Sequence, residues 1–171
     1  MKQIVQALQY LHSQDIIHRD IKPGNILISH EGNVCLSDFG LARKEKEFTE
    51  YTPNMETLWY RSPELLLGET VYHKEVDIWS MGCVFIEFFT GKPIFKGETE
   101  MEQIKLICGL CGTPSEEYWA RFPHSKNFQR PPEHPRVLLE RFRQQDEHLV
   151  KLIDRLLSWD PQQRPDRKSV V

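Results

Sequence analysis

The side chains best suited to chemistry lie in one short stretch, residues 17–25, and in one aspartate shortly after it. Asp20 could accept a proton, and the nearby Lys22 could hold the charge of a phosphate group. Asn25 offers a neutral side-chain oxygen, and Asp38, thirteen residues further on, offers a carboxylate. Oxygen atoms of these two kinds are the ligands that Mg²⁺ prefers. The residue types therefore indicate chemistry on a phosphate group with the help of a divalent metal ion.

The elements around this stretch are predicted from the spacing of apolar residues. Residues 2–12 carry apolar side chains at helical spacing, so a helix should lead directly into the stretch. Two short apolar runs, residues 25–28 and 34–37, flank a polar turn and predict a β-hairpin. Asn25 and Asp38 then lie at the two open ends of this hairpin, which meet in space. The hairpin is therefore expected to bring both candidate metal ligands to one place.

The rest of the chain is predicted to be mainly helical and to form one domain, for which 171 residues are sufficient. Residues 76–89 are apolar on nearly every side, which is typical of a helix at the centre of a core. Further helices are predicted at residues 101–108 and 147–159 from their apolar spacing. Residues 41–61 and 121–137 are polar or rich in proline, and these segments are predicted to be loops.

The composition narrows the class of protein. A net charge of −3 and a pI near 6.2 argue against nucleic-acid binding, which usually requires a basic excess. The sequence contains no recognisable signal peptide and no apolar run long enough to span a membrane. The cysteines indicate reduced thiols inside the cell. Cys108 and Cys111 have redox-motif or half-zinc spacing, but no second pair completes a site, so packing at a helix end is the preferred interpretation.

Four blocks of sequence occur in an order that resembles the C-terminal lobe of eukaryotic protein kinases. They are His-Arg-Asp at residues 18–20 with Asn25, Asp-Phe-Gly at 38–40, Ser-Pro-Glu at 62–64, and Asp-Ile-Trp-Ser-x-Gly at 77–82. The chain is further similar to the cyclin-dependent kinases through Leu-Ala-Arg at 41–43, Thr-Leu-Trp-Tyr-Arg at 57–61, Leu-Leu-Leu-Gly at 65–68 and Cys-Gly-Thr-Pro at 111–114. Residues 107–111 resemble the transcriptional branch, whose members phosphorylate the tail of RNA polymerase II. The implied fold is a mainly α kinase C-terminal lobe with a small β-hairpin that carries the metal-binding loop.

The resemblance implies a serine/threonine kinase that uses ATP and Mg²⁺. Asp20 would accept the proton of the substrate hydroxyl, although an aspartate that caps a loop is the alternative. Lys22 would neutralise charge on the transferring phosphate of ATP. Asn25 and Asp38 would hold the Mg²⁺ ions. Leu27 would form the floor under the adenine, although an apolar strand residue can equally serve simple core packing.

The resemblance also implies a set of supporting residues. The rings of His18 and Phe39 would stack between the metal-binding loop and the core. Asp77 would accept backbone N–H groups of the catalytic loop, because an ionised side chain in a buried helix needs partners. Glu64 and Arg164 would form a buried ion pair, and breaking one partner of such a pair typically costs about 3–5 kcal/mol.

The loop before residue 61 is predicted to hold a regulatory phosphorylation site. Tyr51 follows the pattern of the MAP kinases, but it lies six residues before Thr57, where that pattern requires three. Thr52 lies five residues before Thr57, which is the spacing of the cyclin-dependent kinases, so Thr52 is the predicted site. Arg19 and Arg43 could clamp a phosphate there. The same resemblance counts Thr57 among the catalytic residues.

The sequence departs from the family pattern near the substrate pocket. Met55 and Glu56 replace a pair that is normally apolar in the pocket wall, near Arg61. A carboxylate at this place is expected to weaken the selection of proline after the target residue and to favour a basic residue instead. Ser62 replaces the usual alanine, which is a mild change.

No glycine-rich loop, strand lysine or hinge segment occurs in these residues, so the chain is expected to be a partial kinase domain without its N-terminal lobe. Such a chain alone should transfer little phosphate. Two functions remain open: a kinase whose sequence is incomplete, and a binding module that acts as a decoy for kinase substrates or regulators. The expected partners are a protein substrate, a cyclin bound through the missing lobe and an activating kinase at Thr52, with no direct contact to nucleic acid or membrane. The expected location is intracellular, with the nucleus favoured over the cytoplasm.

Overall fold

The computed structural model describes residues 1–45 and 58–165 of the chain, and its elements surround one long central helix. The helices are α1 (Lys2–Ser13), α2 (Pro63–Leu66), α3 (Glu75–Thr90), α4 (Glu100–Cys111), α5 (Glu116–Ala120), α6 (Leu138–Arg141) and α7 (Glu147–Leu156). The strands are β1 (Ile16–Ile17), β2 (Ile26–Ile28), β3 (Val34–Leu36) and β4 (Arg43–Lys44). Short 3₁₀ helices lie at Pro23–Asn25, Leu58–Tyr60, Pro123–Asn127 and Pro161–Gln163. The predicted class, mainly α with a small β-hairpin, is confirmed.

Helix α3 forms the centre of the core because its side chains are apolar on nearly every side. Trp79 and Val84 have no exposed surface. Gly82 allows the end of α7 to approach closely, since a Cβ atom at this position would lie only 2.9 Å from Cδ2 of Leu157. Gly91 ends the helix in a left-handed conformation with a φ of 71°, which glycine adopts without steric cost. The prediction of a central helix that ends at Gly91 is confirmed.

The predicted hairpin is formed by β2 and β3, which pair antiparallel with Ile26 opposite Leu36. The backbone N–H of Ser37 donates a hydrogen bond of 2.9 Å to the carbonyl oxygen of Asn25, so the two open ends of the hairpin are joined. Helix α1 packs against β3, and its buried face includes Leu8. The hairpin therefore lies against the helix that leads into residues 17–25.

Several elements differ from the sequence-based expectation. A second small sheet, in which β1 pairs antiparallel with β4, has no counterpart in the prediction, because two-residue strands show no periodicity. Helices α5 and α6 are likewise too short to be recognised by apolar spacing. The predicted end of the last helix at residue 159 was wrong. Helix α7 ends at Leu156, and Asp160 instead accepts a hydrogen bond of 3.0 Å from the N–H of Gln162 in the following 3₁₀ helix.

The four cysteines are free thiols, of which Cys35 is exposed and the other three are buried. Cys108 and Cys111 pack at the end of α4, and burial raises the pKa of these thiols to about 11 and about 12, respectively. Residues 1–45 and 58–165 contain no group of three His, Cys, Asp or Glu side chains placed to hold a metal ion. Within the same residues, no helix combines the length and the apolar character needed to cross a membrane.

Candidate active site

The backbone of residues 17–25 is anchored by Asp77, in the first turn of α3. The Asp77 carboxylate is 1% exposed and accepts hydrogen bonds from the N–H of His18 at 2.9 Å and of Arg19 at 2.8 Å. Nε2 of His12, on α1, lies 2.8 Å from the same carboxylate. Arg19 has a φ of 71°, a conformation that costs energy for a residue other than glycine. The two hydrogen bonds to Asp77 therefore stabilise residues 17–25 in a conformation that includes the strained Arg19.

Asp20 follows directly and makes polar contacts with two side chains of the stretch. Its Oδ2 atom lies 2.8 Å from Nζ of Lys22 and 2.8 Å from Nδ2 of Asn25. The Asn25 amide nitrogen also donates a hydrogen bond of 2.8 Å to the backbone carbonyl of Asp20. Because the nitrogen makes both contacts, the side-chain oxygen of Asn25 remains as the acceptor that a metal ion could use. The Asp20 carboxylate is thus oriented at its Oδ2 atom by one cation and one amide.

Asp38 lies at the other open end of the hairpin and is exposed. Its φ of 61° turns the chain sharply, and its Oδ1 atom accepts a hydrogen bond of 3.2 Å from the N–H of Gly40. The buried ring of His18 holds this turn from the core side. Nε2 of His18 lies 3.1 Å from the carbonyl oxygen of Ser37, and the His18 ring centroid lies 5.0 Å from that of Phe39. The structure therefore brings Asp38 to the same edge as Asn25, through the joined ends of the hairpin.

Glu64 and Arg164 form a buried ion pair with two parallel contacts of 2.7 Å each. The Arg164 guanidinium also donates to the backbone carbonyls of Glu75 and Trp159, at 3.0 and 3.2 Å. Its carbon atom lies 5.2 Å from the ring centroid of Trp79, in the middle of α3. The pair therefore connects α2, α3 and the turn after α7.

Two apolar side chains of β2 face the surface. Leu27 is 52% exposed and Ile28 is 69% exposed. Simple core packing therefore does not account for Leu27. An exposed leucine beside Asn25 offers an apolar contact for a ligand that reaches the open ends of the hairpin, so its assignment to adenine binding stays a prediction.

Four residues with predicted roles in regulation, catalysis or substrate selection lie outside the described residues: Thr52, Met55, Glu56 and Thr57. The two arginines proposed to clamp a phosphate are described. Arg19 is 6% exposed, and Arg43 is exposed, with its Nη1 atom donating a hydrogen bond of 2.7 Å to the carbonyl oxygen of Ala42. The pairing of β4 with β1 places Arg43 opposite Ile17, close in sequence to Arg19. The phosphate clamp itself stays a prediction.

Two supporting contacts were missed by the sequence reasoning. The contact of His12 with Asp77 could have been found, because a histidine on the apolar face of α1 needs a polar partner when it is buried. The second is the ion pair between Arg61 and Glu100, in which Nη1 lies 3.2 Å from Oε1. Burial lowers the pKa of the Arg61 guanidinium, and the nearby Glu100 carboxylate opposes this shift. The sequence carried no signal for this pair, because its members lie on separate elements.

Comparisons with known proteins identify the family and the fold of the chain. Residues 1–171 match the protein kinase domain family. Cyclin-dependent kinase C-2 of Oryza sativa subsp. japonica is 44% identical, over all of this chain and 34% of the relative. The probable CTD kinase subunit alpha homolog of Encephalitozoon cuniculi is 41% identical, over 99% of this chain and 52% of the relative. A chain of the yeast RNA Pol II CTD kinase CTDK-1 complex superposes with a TM-score of 0.94 at 38% identity, over 99% of this chain and 58% of that chain.

The chain belongs to the protein kinase family, and its fold is that of the kinase C-terminal lobe. The predicted similarity to the cyclin-dependent kinases is confirmed by the relatives that carry this name. The chain spans about a quarter to a half of the length of the curated relatives that it matches.

Proposed function

We propose that the protein is a serine/threonine kinase of the cyclin-dependent type, which transfers the γ-phosphate of ATP to serine or threonine side chains of proteins. One observation carries this proposal. The Asp20 carboxylate is held at 2.8 Å by both Lys22 and Asn25, on a backbone that the buried Asp77 fixes. A carboxylate oriented in this way can act as a general base, for which geometry is the first requirement.

Asp20 and Lys22 have different roles in the transfer of phosphate. Asp20 orients the hydroxyl of the substrate and takes its proton, while the hydroxyl oxygen bonds to the γ-phosphorus and ADP leaves. Lys22, whose ammonium group already lies beside Asp20, offsets negative charge on the phosphate. The catalytic contribution of both residues is positioning and charge stabilisation, which dominate phosphoryl transfer.

The donor set at the open ends of the hairpin fits Mg²⁺. Asn25 contributes an amide oxygen and Asp38 a carboxylate, and oxygen ligands are what this ion requires. When bound, Mg²⁺ neutralises charge on the phosphates of the nucleotide. The exposed Leu27 on β2 supplies an apolar surface for the adenine base. Asn25 and Asp38 would therefore hold the metal, and Leu27 the base.

The relatives direct the proposal for substrate and partners. One relative is named a probable CTD kinase subunit alpha homolog, and the similar yeast structure is named an RNA Pol II CTD kinase complex. We therefore propose the tail of RNA polymerase II as the substrate, a cyclin as partner, and the nucleus as the location. We further propose that an activating kinase phosphorylates Thr52 and that Arg19 and Arg43 bind the phosphate.

The test measures phosphate transfer from radiolabelled ATP to a peptide from the RNA polymerase II tail. The full-length protein that contains these residues is compared with its Asp20→Asn variant, in the presence of a cyclin. We expect the rate to fall by about 10²–10⁴-fold, because a positioned general base contributes about this factor. Nucleotide binding should persist, since the variant keeps Asn25 and Asp38.

The matched control is Glu31→Gln, which removes an exposed carboxylate at the turn of the same hairpin. It should leave the rate unchanged. An Asp20→Asn variant that transfers phosphate as fast as the parent protein would overturn the assignment of Asp20. A parent protein that binds the peptide but transfers no phosphate would instead favour the binding-module function.

A further inference from the structure

A groove with a volume of about 290 Å³ lies away from the residues of the candidate active site. One wall is the loop that connects α2 to α3, another is the end of α5, and the third is the 3₁₀ helix after α7. None of Asp20, Asn25 and Asp38 lines it. We call it the acidic groove and define it by Glu69, Val71, Tyr72, Glu75, Phe122 and Asp160.

The apolar part of the acidic groove is built from aromatic side chains with one exposed aliphatic residue. Phe122 is buried, and its ring centroid lies 5.0 Å from that of Tyr118. The Tyr118 hydroxyl donates a hydrogen bond of 2.6 Å to the carbonyl oxygen of Trp159, so this ring is fixed in place. Val71 is 38% exposed at the opposite wall. The groove therefore offers a preformed surface that could receive one or two apolar side chains.

Negatively charged side chains outnumber positively charged ones around the acidic groove. Glu64 also lines the groove, but Arg164 neutralises it. No ion pair among residues 1–45 and 58–165 involves Glu69, Glu75 or Asp160. Within the described residues, these three carboxylates therefore have no cation at ion-pair distance.

The cations at the groove do not balance these carboxylates. Nδ1 of His73 lies 3.0 Å from Glu45, which offsets any charge on this ring. Arg121 is the remaining cation of the lining, and its guanidinium carbon lies 5.5 Å from the ring centroid of Tyr118. Three carboxylates against one arginine produce a negative potential, which a concave surface focuses.

The positions of the Glu69 and Asp160 carboxylates are also fixed by hydrogen bonds. Oε1 of Glu69 accepts hydrogen bonds of 3.1 Å from the N–H groups of both Thr70 and Val71. Oδ1 of Asp160 accepts from the N–H of Gln162 at 3.0 Å. Each of these side chains uses one oxygen within the protein and has a second one for a ligand. Little side-chain entropy is then lost when a cation binds, which favours affinity.

We propose that the acidic groove docks a basic segment of a partner protein, in which an arginine or lysine lies next to an apolar residue. The apolar side chain packs against Phe122 and Val71, and the cation meets the carboxylates of Glu69, Glu75 and Asp160. Because no residue of the candidate active site lines the groove, a docked segment leaves Asp20 accessible. The proposal therefore stands or falls independently of the proposed phosphate transfer.

Fluorescence anisotropy with labelled hexapeptides tests the docking on the full chain. The probe has the sequence Arg-Arg-Leu-Phe-Arg-Gly, and its partner probe carries glutamate in place of each arginine. We expect the basic probe to bind at least about tenfold more tightly than the acidic one at low ionic strength. Its advantage should disappear in about 1 M salt, where the Debye length is about 3 Å.

Charge variants locate the binding. The triple variant Glu69→Gln, Glu75→Gln and Asp160→Asn should weaken the basic probe about tenfold, since each exposed pair contributes a few-fold. Arg121→Gln should strengthen the same probe about threefold, because it removes the opposing charge. The second variant tests the proposal in the opposite direction, so loss of folding in the triple variant cannot imitate its result.

The matched control is Glu116→Gln with Glu117→Gln, which removes two exposed carboxylates of α5 outside the groove. This control should leave the affinity unchanged. The proposal is overturned if the control weakens binding as much as the triple variant does, if Arg121→Gln does not strengthen it, or if the two probes bind equally.

Discussion

Two aspartates, one predicted to bind a metal ion and one predicted to support the backbone, behave differently in the structure. Asp77 is buried at the start of α3 and its carboxylate contacts three partners at 2.8–2.9 Å, namely His12, His18 and Arg19. Asp38 lies exposed at the edge of the hairpin, with one contact of 3.2 Å to the N–H of Gly40. One region of the molecule therefore uses its carboxylate within the protein, and the other keeps its carboxylate available.

The difference indicates how this chain separates stability from chemistry. A buried carboxylate must satisfy its oxygens with protein donors, because an unpaired buried charge is costly. The oxygens of Asp77 are used in this way by protein donors rather than by a metal ion. An exposed carboxylate pays little for remaining unpaired and can exchange water for a ligand. We therefore expect the helical scaffold around α3 to determine the free energy of unfolding, and the hairpin edge to determine binding and catalysis.

The largest loss in the free energy of unfolding should come from breaking the ion pair of Glu64 with Arg164 in the helical scaffold. Arg164→Met removes the cation and leaves the buried carboxylate without its partner. We expect the free energy of unfolding to fall by about 3–5 kcal/mol, as for other broken buried pairs. Urea denaturation followed by circular dichroism measures the loss. The double variant Glu64→Gln with Arg164→Met should recover part of it, because the unpaired charge is gone.

The matched control for this prediction is Lys151→Met, which breaks the exposed pair of Lys151 with Glu147 on α7. Exposed pairs contribute little. A loss from this variant as large as that from Arg164→Met would mean that burial does not decide the strength of ion pairs in this protein.

A smaller loss in the free energy of unfolding is expected when Asp77 or Asp38 is replaced by asparagine. Asp77→Asn keeps one acceptor oxygen but removes the charge and the second acceptor. The backbone N–H of either His18 or Arg19 therefore loses its partner. The free energy of unfolding should fall by about 2–3 kcal/mol. Asparagine tolerates the left-handed φ of position 38. Asp38→Asn should therefore change the free energy of unfolding by less than about 0.5 kcal/mol. Equal losses in the same denaturation assay would contradict the division between scaffold and edge.

The smallest predicted effect concerns alkaline pH. Burial raises the pKa of Cys108 from an ordinary value of 9.0 to about 11 and that of Cys111 to about 12. The unfolded chain therefore loses these protons at lower pH than the native protein does. The stabilisation is fully present below pH 9 and is lost as the pH rises through about 9 to 12, by about 1 kcal/mol per thiol at pH 10.

Unfolding by urea at a series of pH values from neutral to alkaline measures this slope. Cys108→Ala should reduce the slope by the contribution of one thiol. The exposed Cys35 on β3 provides the matched control, and Cys35→Ala should leave the slope unchanged. If the pH dependence of the free energy of unfolding depended on Cys35 instead, the titrating thiol would lie in the hairpin and not in the core. This result would contradict the prediction.

Much of the fold could be predicted because its signals are local. The helical spacing of residues 2–12, the apolar character of residues 76–89 and the turn between the two hairpin strands depend only on neighbours in sequence. The hairpin also brought Asn25 and Asp38 together in the prediction, since a two-stranded antiparallel pair fixes where its ends lie. The positions of Thr52 and Thr57 lie outside the described residues, and their roles stay predictions.

The elements that escaped prediction depend on distant partners. The pairing of β1 with β4 joins two-residue segments that have no pattern of their own. The ion pair of Arg61 with Glu100 connects a loop to the first turn of α4. The acidic groove is formed by three segments that are far apart in the chain, so neither its shape nor its excess of carboxylates can be recognised from local composition.

The sequence by itself determined the class of fold and the chemical types at the candidate active site, because motifs such as His-Arg-Asp and Asp-Phe-Gly combine residue type with short spacing. The resemblance already implied that Asp77 accepts backbone N–H groups, and only the tertiary structure showed its contact with His12 and the exposure of Asp38. Burial and hydrogen bonding depend on what packs against a residue, and Asp77 contacts His12 on α1 and His18 in residues 17–25. The same residue type is therefore part of the scaffold at Asp77 and a candidate ligand at Asp38.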